Sequence, residues 1–268
     1  MKLALSQIAW RSEHEEAIAQ RMPSWGFYGV ELVPAKLGAD PFKVPDATVI
    51  ACQRFWQSHG ISPIAMQSLL YGRPDLQLFN PDCSRLRAYL VGIIRLASRL
   101  DVPILVFGSP KNRVRGAISL RKARAIARSF FRELGEIAAA HNVCLCLEAN
   151  PPQYGCDFIT TSQEALELVQ EVDSPGFGLH VDCGAMFLAD EPFEQLVALV
   201  PWIRHVHLSA PQLGPLGPGA IDYRAILQML HDYEGWISLE MRSSEAPLPM
   251  VEAACQYIQG LLAERSLP

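Results

Sequence analysis

The 268-residue sequence predicts a single (β/α)8 barrel spanning residues 1–268, a fold that commonly occupies one domain of this length. Three observations point there. Short, apolar, β-rich runs alternate eight times with longer helical patterns. Parallel neighbours need crossover connections, so that rhythm implies a parallel sheet. No Gly-x-Gly-x-x-Gly follows the first strand, although the rival open doubly wound sheet often carries one there.

The elements follow in order. A strand near Lys2 to Ile8 precedes a helix from about Glu13 to Trp25. Gly29 to Val33 reads as the second strand, with a helix near Ala47 to His59. Ser62 to Ser68 is the third, followed by a helix near Cys83 to Leu100. Ile104 to Phe107 is the fourth, and its helix lies near Leu120 to His141. Val143 to Glu148 leads into a helix from Ser162 to Val172, and Phe177 to Asp182 into one at Phe193 to Leu199. Ile203 to Leu208 leads into Tyr223 to Tyr233, and Trp236 to Met241 into a helix over Pro247 to Glu264. The Pro/Gly-rich stretch Pro211 to Gly219 is expected as a long loop after strand seven.

Composition narrows the function classes. Half of the residues are apolar, enough for a large core, and the net charge is -5. An acidic chain argues against nucleic acid as the main partner, because phosphate neutralisation wants a basic face. No apolar run approaches the length of a membrane span, so no membrane association is expected. Met1 to Trp10 reads as a strand and not as a leader. The seven cysteines form no Cys-x-x-Cys, which suits reduced thiols in a cytoplasmic protein.

Strand parity locates the polar residues. Alternate residues of a barrel strand point inward, and active sites gather at the C-terminal ends. On the inward parity, strand five ends in Glu148 and Asn150, strand six in His180 and Asp182, strand seven in His205 and His207, and strand eight in Ser238, Glu240 and Arg242. Strand two adds Glu31, and strand three adds Gln67. Buried carboxylates are expensive unless paired or metal-bound. Glu148, Asp182, His207 and Glu240 therefore read as ligands of one divalent cation, or as carboxylates satisfied by an ion pair with Arg242. Three oxygen donors and one nitrogen favour Mn²⁺, Mg²⁺ or Co²⁺, and also admit Zn²⁺.

Other polar residues have plainer readings. His180 and His205 lie one inward step below the ligand positions, as core histidines or as groups orienting Asp182 and His207. Glu31 is expected in the same supporting layer. His14, His59, His141 and His231 fall on helices or helix ends and read as surface residues or caps. In the loop after strand four, Lys111 and Arg113 read as solvated charges or as an anion or polyol clamp over the mouth. Trp10, Phe27, Tyr71, Tyr154 and Phe187 lie near strand ends, as core or as apolar walls for a small polar substrate.

The pieces Leu147-Glu148-Ala149-Asn150, Leu179-His180-Val181-Asp182, His205-Val206-His207-Leu208 and Ser238-Leu239-Glu240-Met241-Arg242 resemble the xylose isomerase-like TIM-barrel superfamily, in its sugar phosphate isomerase/epimerase branch. Gly217-Pro218-Gly219-Ala220-Ile221-Asp222 is similar to the family's Gly-x-Gly-x-Ile-Asp feature, and Phe107 to Arg113 looks like a subgroup signature. The resemblance spans essentially the whole chain. It implies a metal-dependent isomerase or epimerase acting on a sugar, keto-sugar or polyol, with Mn²⁺ as the expected metal. Glu148 and Glu240 would move protons on opposite sides of the substrate, through a cis-enediolate held by the metal. Gln67, Lys111, Arg113, Asn150 and Arg242 are the candidate substrate contacts, and a homodimer is the expected assembly.

Two departures stand out. Where many members carry Asp-x-x-His after strand six, this chain has Asp182-Cys183-Gly184-Ala185. An arginine often found after the strand-seven histidine is missing from Ser209-Ala210-Pro211-Gln212. Three competing readings follow. One is a dehydratase on the same metal site, and another a metal- or sugar-binding barrel without turnover. The third is a nuclease resembling the AP endonucleases, disfavoured by Gln67, Ala185 and the acidic balance.

Overall fold

A computed structural model describes residues 1–265. Eight parallel strands close into a barrel in sequence order: β1 (Lys2–Ser6), β2 (Gly29–Leu32), β3 (Ser62–Met66), β4 (Ile104–Phe107), β5 (Cys144–Glu148), β6 (Phe177–Asp182), β7 (Ile203–Ser209) and β8 (Trp236–Glu240). β1 pairs with β8, so no edge is left open. This is the (β/α)8 architecture that the eightfold rhythm predicts. Positions 266–268 of the expected span lie outside the described residues.

The larger helices are α1 (Glu15–Arg21), α2 (Asp46–Ser58), α3 (Ser84–Arg99), α4 (Leu120–Ala140) and α5 (Ser162–Val172). They are followed by α6 (Cys183–Leu188), α7 (Leu196–Leu199), α8 (Tyr223–Met229) and α9 (Pro247–Arg265). Ser119 caps α4 and Thr161 caps α5, each hydroxyl accepting the backbone N–H of the residue three positions on. The core between barrel and helices is continuous, from Leu3 and Trp10 through Phe107, Phe131 and Phe177 to Ile258. Phe131 stacks on Phe177 with centroids 4.8 Å apart, joining α4 to β6. Gly176 lets that packing close up, because a Cβ there would run into the Gly135 carbonyl and the Ala139 amide of α4. Among the described residues no helix is long and apolar enough to cross a membrane.

The structure departs from the sequence reading in three places. The first helix is α1 alone, with 3-10 turns on either side; Pro23 lacks an N–H, and Gly26 ends the segment at φ +78°. The helix after β7 is likewise shorter than the expected Tyr223 to Tyr233, α8 stopping at Met229. A short α6 starts directly after Asp182, in a segment read as loop. Its apolar run Cys183 to Met186 is fully buried, so helical hydrogen bonding satisfies a backbone that water cannot reach.

Register brings the functional positions to one level. Glu148 lies opposite His180, Asp182 opposite His207, and Ser209 opposite Glu240. Pairing shifts by a residue between Val30 and Glu31, and again between Leu179 and His180. Such bulges re-aim the side chains beside them.

Candidate metal centre

Glu148, Asp182, His207 and Glu240 each present one ligand atom, and these atoms all lie within 4.8 Å of one another. The His207 Nδ1 sits 3.2 Å from a Glu240 oxygen, 3.7 Å from Glu148 and 3.8 Å from Asp182. That nitrogen and the Asp182 Oδ2 are buried and carry no hydrogen bond. Buried polar atoms are rarely left this way, and an ion is one of the few explanations. Three carboxylates facing one imidazole nitrogen fit a divalent cation, with oxygen donors suited to Mn²⁺, Mg²⁺ or Co²⁺.

The far side of the imidazole is tied down. His207 Nε2 faces both oxygens of Glu31 at 2.9–3.0 Å, and Glu31 is completely buried. This places a proton on Nε2, so Nδ1 is the atom offered to a cation, which would displace the second proton that the surrounding carboxylates favour in its absence. A carboxylate behind a ligating histidine fixes its tautomer and raises its basicity. Gln67 Nε2 donates to Glu31 Oε2 at 3.2 Å and to Ser6 Oγ at 2.6 Å. His205 Nε2 lies 3.4 Å from Glu31 and 3.0 Å from Ser238 Oγ. His180 packs edge-on against His207, with centroids 4.1 Å apart, and neither of its ring nitrogens has a hydrogen bond.

Electrostatics follow from crowding. Burial, then the neighbouring Asp182 and Glu240, push the Glu148 carboxyl up to about 8. Burial and Glu240 raise Asp182 to about 6. Burial alone would raise Glu31 too, but the His207 and His205 imidazoles outweigh it and hold that carboxyl well below the usual range. His207 is pulled the other way: burial lowers its pKa, and Glu31 and Glu240 raise it well above 6.5. Burial, with two imidazole neighbours, keeps His180 neutral.

These shifts predict how metal affects stability. A carboxyl raised to about 6 or 8 stabilises the fold fully below its unfolded pKa, and that contribution is lost as pH rises through the folded value. The chelator-treated protein should therefore lose stability between about pH 4 and 8, as Glu148 and Asp182 are forced to ionise. Bound cation removes that penalty. The rise in melting temperature on adding Mn²⁺ should be larger at pH 8 than at pH 6; an equal or smaller rise at pH 8 counts against the site.

Local structure explains how each group arrives. Asp182 uses Oδ1 to cap α6 at the Ala185 N–H and to accept from Ser209 Oγ at 2.9 Å, which leaves Oδ2 for the cluster. Asn150 Nδ2 donates to Glu148 Oε2 at 3.1 Å. Gly108 makes room for that carboxylate, since a Cβ there would overlap Glu148 Oε2. A cavity of about 440 Å³ opens over the cluster, lined by Glu148, Asn150, Tyr154, Asp182, Ala185, Leu213, Glu240 and Arg242.

The remaining expected residues divide. Asn150 and Arg242 line the cavity. Gln67 and Glu31 lie beneath it, in the layer that orients His207. Lys111 is exposed beside a neighbouring cavity, away from the cluster. Arg113, read as a clamp over the mouth, is instead fully buried, and its Nη2 donates to the Glu148 backbone carbonyl at 2.7 Å. It ties the C-terminal end of β5 to the loop that turns through Pro110–Asn112. Sequence reasoning missed Gly108 and the roles of Ser6 and Ser209. A glycine directly after an apolar strand was the available signal for the first; a lone serine gives none.

Comparison with known proteins agrees with this geometry. The chain is 26% identical over 100 residues to a ketose 3-epimerase of Arthrobacter globiformis, a match covering 36% of this chain and only 35% of that protein. It is 22% identical over 250 residues to a probable ketose 3-epimerase of a Synechocystis strain, covering 90% of this chain and 84% of that one. The fold superposes on a D-psicose 3-epimerase from Clostridium cellulolyticum H10, crystallised with D-tagatose, with a TM-score of 0.77 at 17% identity over 98% of both chains. A family profile described as xylose isomerase-like TIM barrel matches residues 19–261, and the chain belongs to that family.

Proposed function

We propose that this protein is a metal-dependent epimerase or isomerase of a ketose-type sugar, with Glu148 and Glu240 as its proton-transfer groups. One observation carries the reading. β5 and β8 flank β6 and β7, so the two glutamates reach the cavity from its two sides, with Asp182 and His207 between them. The relatives named as ketose 3-epimerases support the substrate class.

When bound by Glu148, Asp182, His207 and Glu240, a divalent metal supplies the Lewis acidity that makes a C–H proton beside a carbonyl removable near neutral pH. Mn²⁺ is the metal we expect, from a donor set of three carboxylates and one imidazole that also suits Co²⁺ and Mg²⁺. One glutamate carboxylate takes the proton from carbon on its side of the substrate. The other glutamate, protonated, returns one to the opposite face of the same carbon, which inverts its configuration. Return to the neighbouring carbon gives an isomer. Arg242 and Asn150 lie where substrate hydroxyls would approach. The seven unpaired cysteines support a reducing compartment such as the cytoplasm.

The test joins two measurements. Elemental mass spectrometry of the purified protein should find about one equivalent of divalent metal, lost in an Asp182→Ala/His207→Ala double variant. The loaded protein should exchange a ketose C–H proton with deuterated solvent. Metal without exchange on any ketose would favour the binding-barrel reading, and loss of water from the substrate would favour the dehydratase.

A further inference from the structure

The cavity over the metal cluster does not stand alone. A second cavity of about 750 Å³ adjoins it, formed by the loops after β1, β2 and β3 and lined by Ile8, Trp10, Val33, Lys36 and Tyr71. The two share Leu213 and Arg242 as a common wall. Small-molecule sites of about 300–1,000 Å³ enclose most of a ligand well above monosaccharide size, so the 440 Å³ over the cluster already accommodates one sugar unit. The larger cavity exceeds what such a unit needs.

Its lining describes an occupant. Its walls set apolar and aromatic side chains such as Ile8, Val33 and Tyr71 among polar ones such as Gln7, Arg11 and Ser68, a mixture suited to the apolar face of a sugar ring and to its hydroxyls. Tyr71 stands on the rim with 77% of its surface exposed. The exposed Arg242 lies at the junction, and its guanidinium has no carboxylate partner among the described residues.

The shared wall is held in an uncommon backbone conformation. Gln212 and Leu213 have φ of 59° and 58°, a left-handed pair without glycine. Such residues cost energy and persist only where surroundings hold them. Here the Gln212 N–H donates to Tyr154 Oη at 3.0 Å, and the Leu213 carbonyl accepts from the Arg242 N–H at 2.8 Å. The strained turn sets Leu213 between the two cavities.

We infer that the substrate is a ketose joined to a second ring, a disaccharide or glycoside, with the reacting sugar over the metal cluster and the second ring against Tyr71 in the adjoining cavity. This rests on the epimerase reading above and extends it to the substrate's size. A phosphorylated ketose is the rival, because Arg11 also lines the second cavity.

Calorimetry on the Mn²⁺-loaded protein separates them, using D-fructose, D-fructose 6-phosphate, isomaltulose and lactulose as probes. At least one disaccharide should bind tenfold or more tighter than D-fructose, and Tyr71→Ala should lower that advantage about fivefold. D-fructose binding as tightly as both disaccharides, or D-fructose 6-phosphate binding tightest, overturns the inference. So does an advantage that Tyr71→Ala leaves intact. Solvent-deuterium exchange into D-fructose scores the parent reading separately. Exchange without a disaccharide advantage sinks only the inference, whereas no binding and no exchange with any probe sinks both.

Discussion

Changing Glu148 to glutamine should lower turnover by about two to four orders of magnitude, the usual worth of a positioned proton-transfer group. Glutamine keeps the volume in the space that Gly108 leaves open, and its carbonyl oxygen can still face the cluster. The amide cannot carry the proton. The loss should fall on kcat and kcat/KM together, because the interaction is made in the transition state. Glu240→Gln should act similarly from the other side of the cavity. Steady-state kinetics on the best ketose, with metal content measured in parallel, checks both variants. Activity within tenfold of the parent in the two of them, at equal metal content, removes the proton-transfer assignment.

The second large effect is expected at Glu31, which touches no substrate. Glu31→Ala should destabilise the chelator-treated protein by about 3–5 kcal/mol, the range for removing one partner of a buried ion pair. His207 would lose the carboxylate behind its Nε2, and His205 its contact at 3.4 Å. The His207 and His205 imidazoles hold the Glu31 carboxyl below the ordinary range, so its contribution is present above the unfolded pKa and is lost as pH falls through the folded one. The gap between variant and parent should accordingly be full at neutral pH and narrow in strong acid. Metal affinity should fall about 10- to 100-fold, as for other partners standing behind a ligating histidine. Urea unfolding across pH and a metal titration measure the two effects. A variant with parental stability and parental affinity would show that Glu31 does not organise the site.

Much of this arrangement was legible in the chain. The alternation of apolar runs and helical patterns specifies the barrel, because each strand needs a crossover before its parallel neighbour. The candidate ligand set was readable because strand parity and strand ends are both sequence properties: Glu148, Asp182 and Glu240 each end a strand, and His207 shares their inward parity near the end of β7. Arg113 was not readable. Its Lys-Asn-Arg context looks solvated, whereas the folded chain buries the guanidinium against the Glu148 carbonyl at the end of β5. Neither was α6, since six residues give too little period to separate a helix from a buried loop. The bulges beside Glu31 and His180 arise from pairing between distant strands, which no local pattern encodes.

Asp182 divides its two oxygens between different masters. One fastens the start of α6, and the other faces the cavity. The chemistry and the adjoining scaffold are thereby pinned by the same residue. Ala185, one turn along, borders the cavity with its side chain but reaches Asp182 only through its backbone amide. A new side chain at 185 can therefore alter what the cavity accepts without giving up the bond that orients the carboxylate. One helical turn thus separates the carboxylate that faces the cluster from a position whose side chain can reshape the cavity.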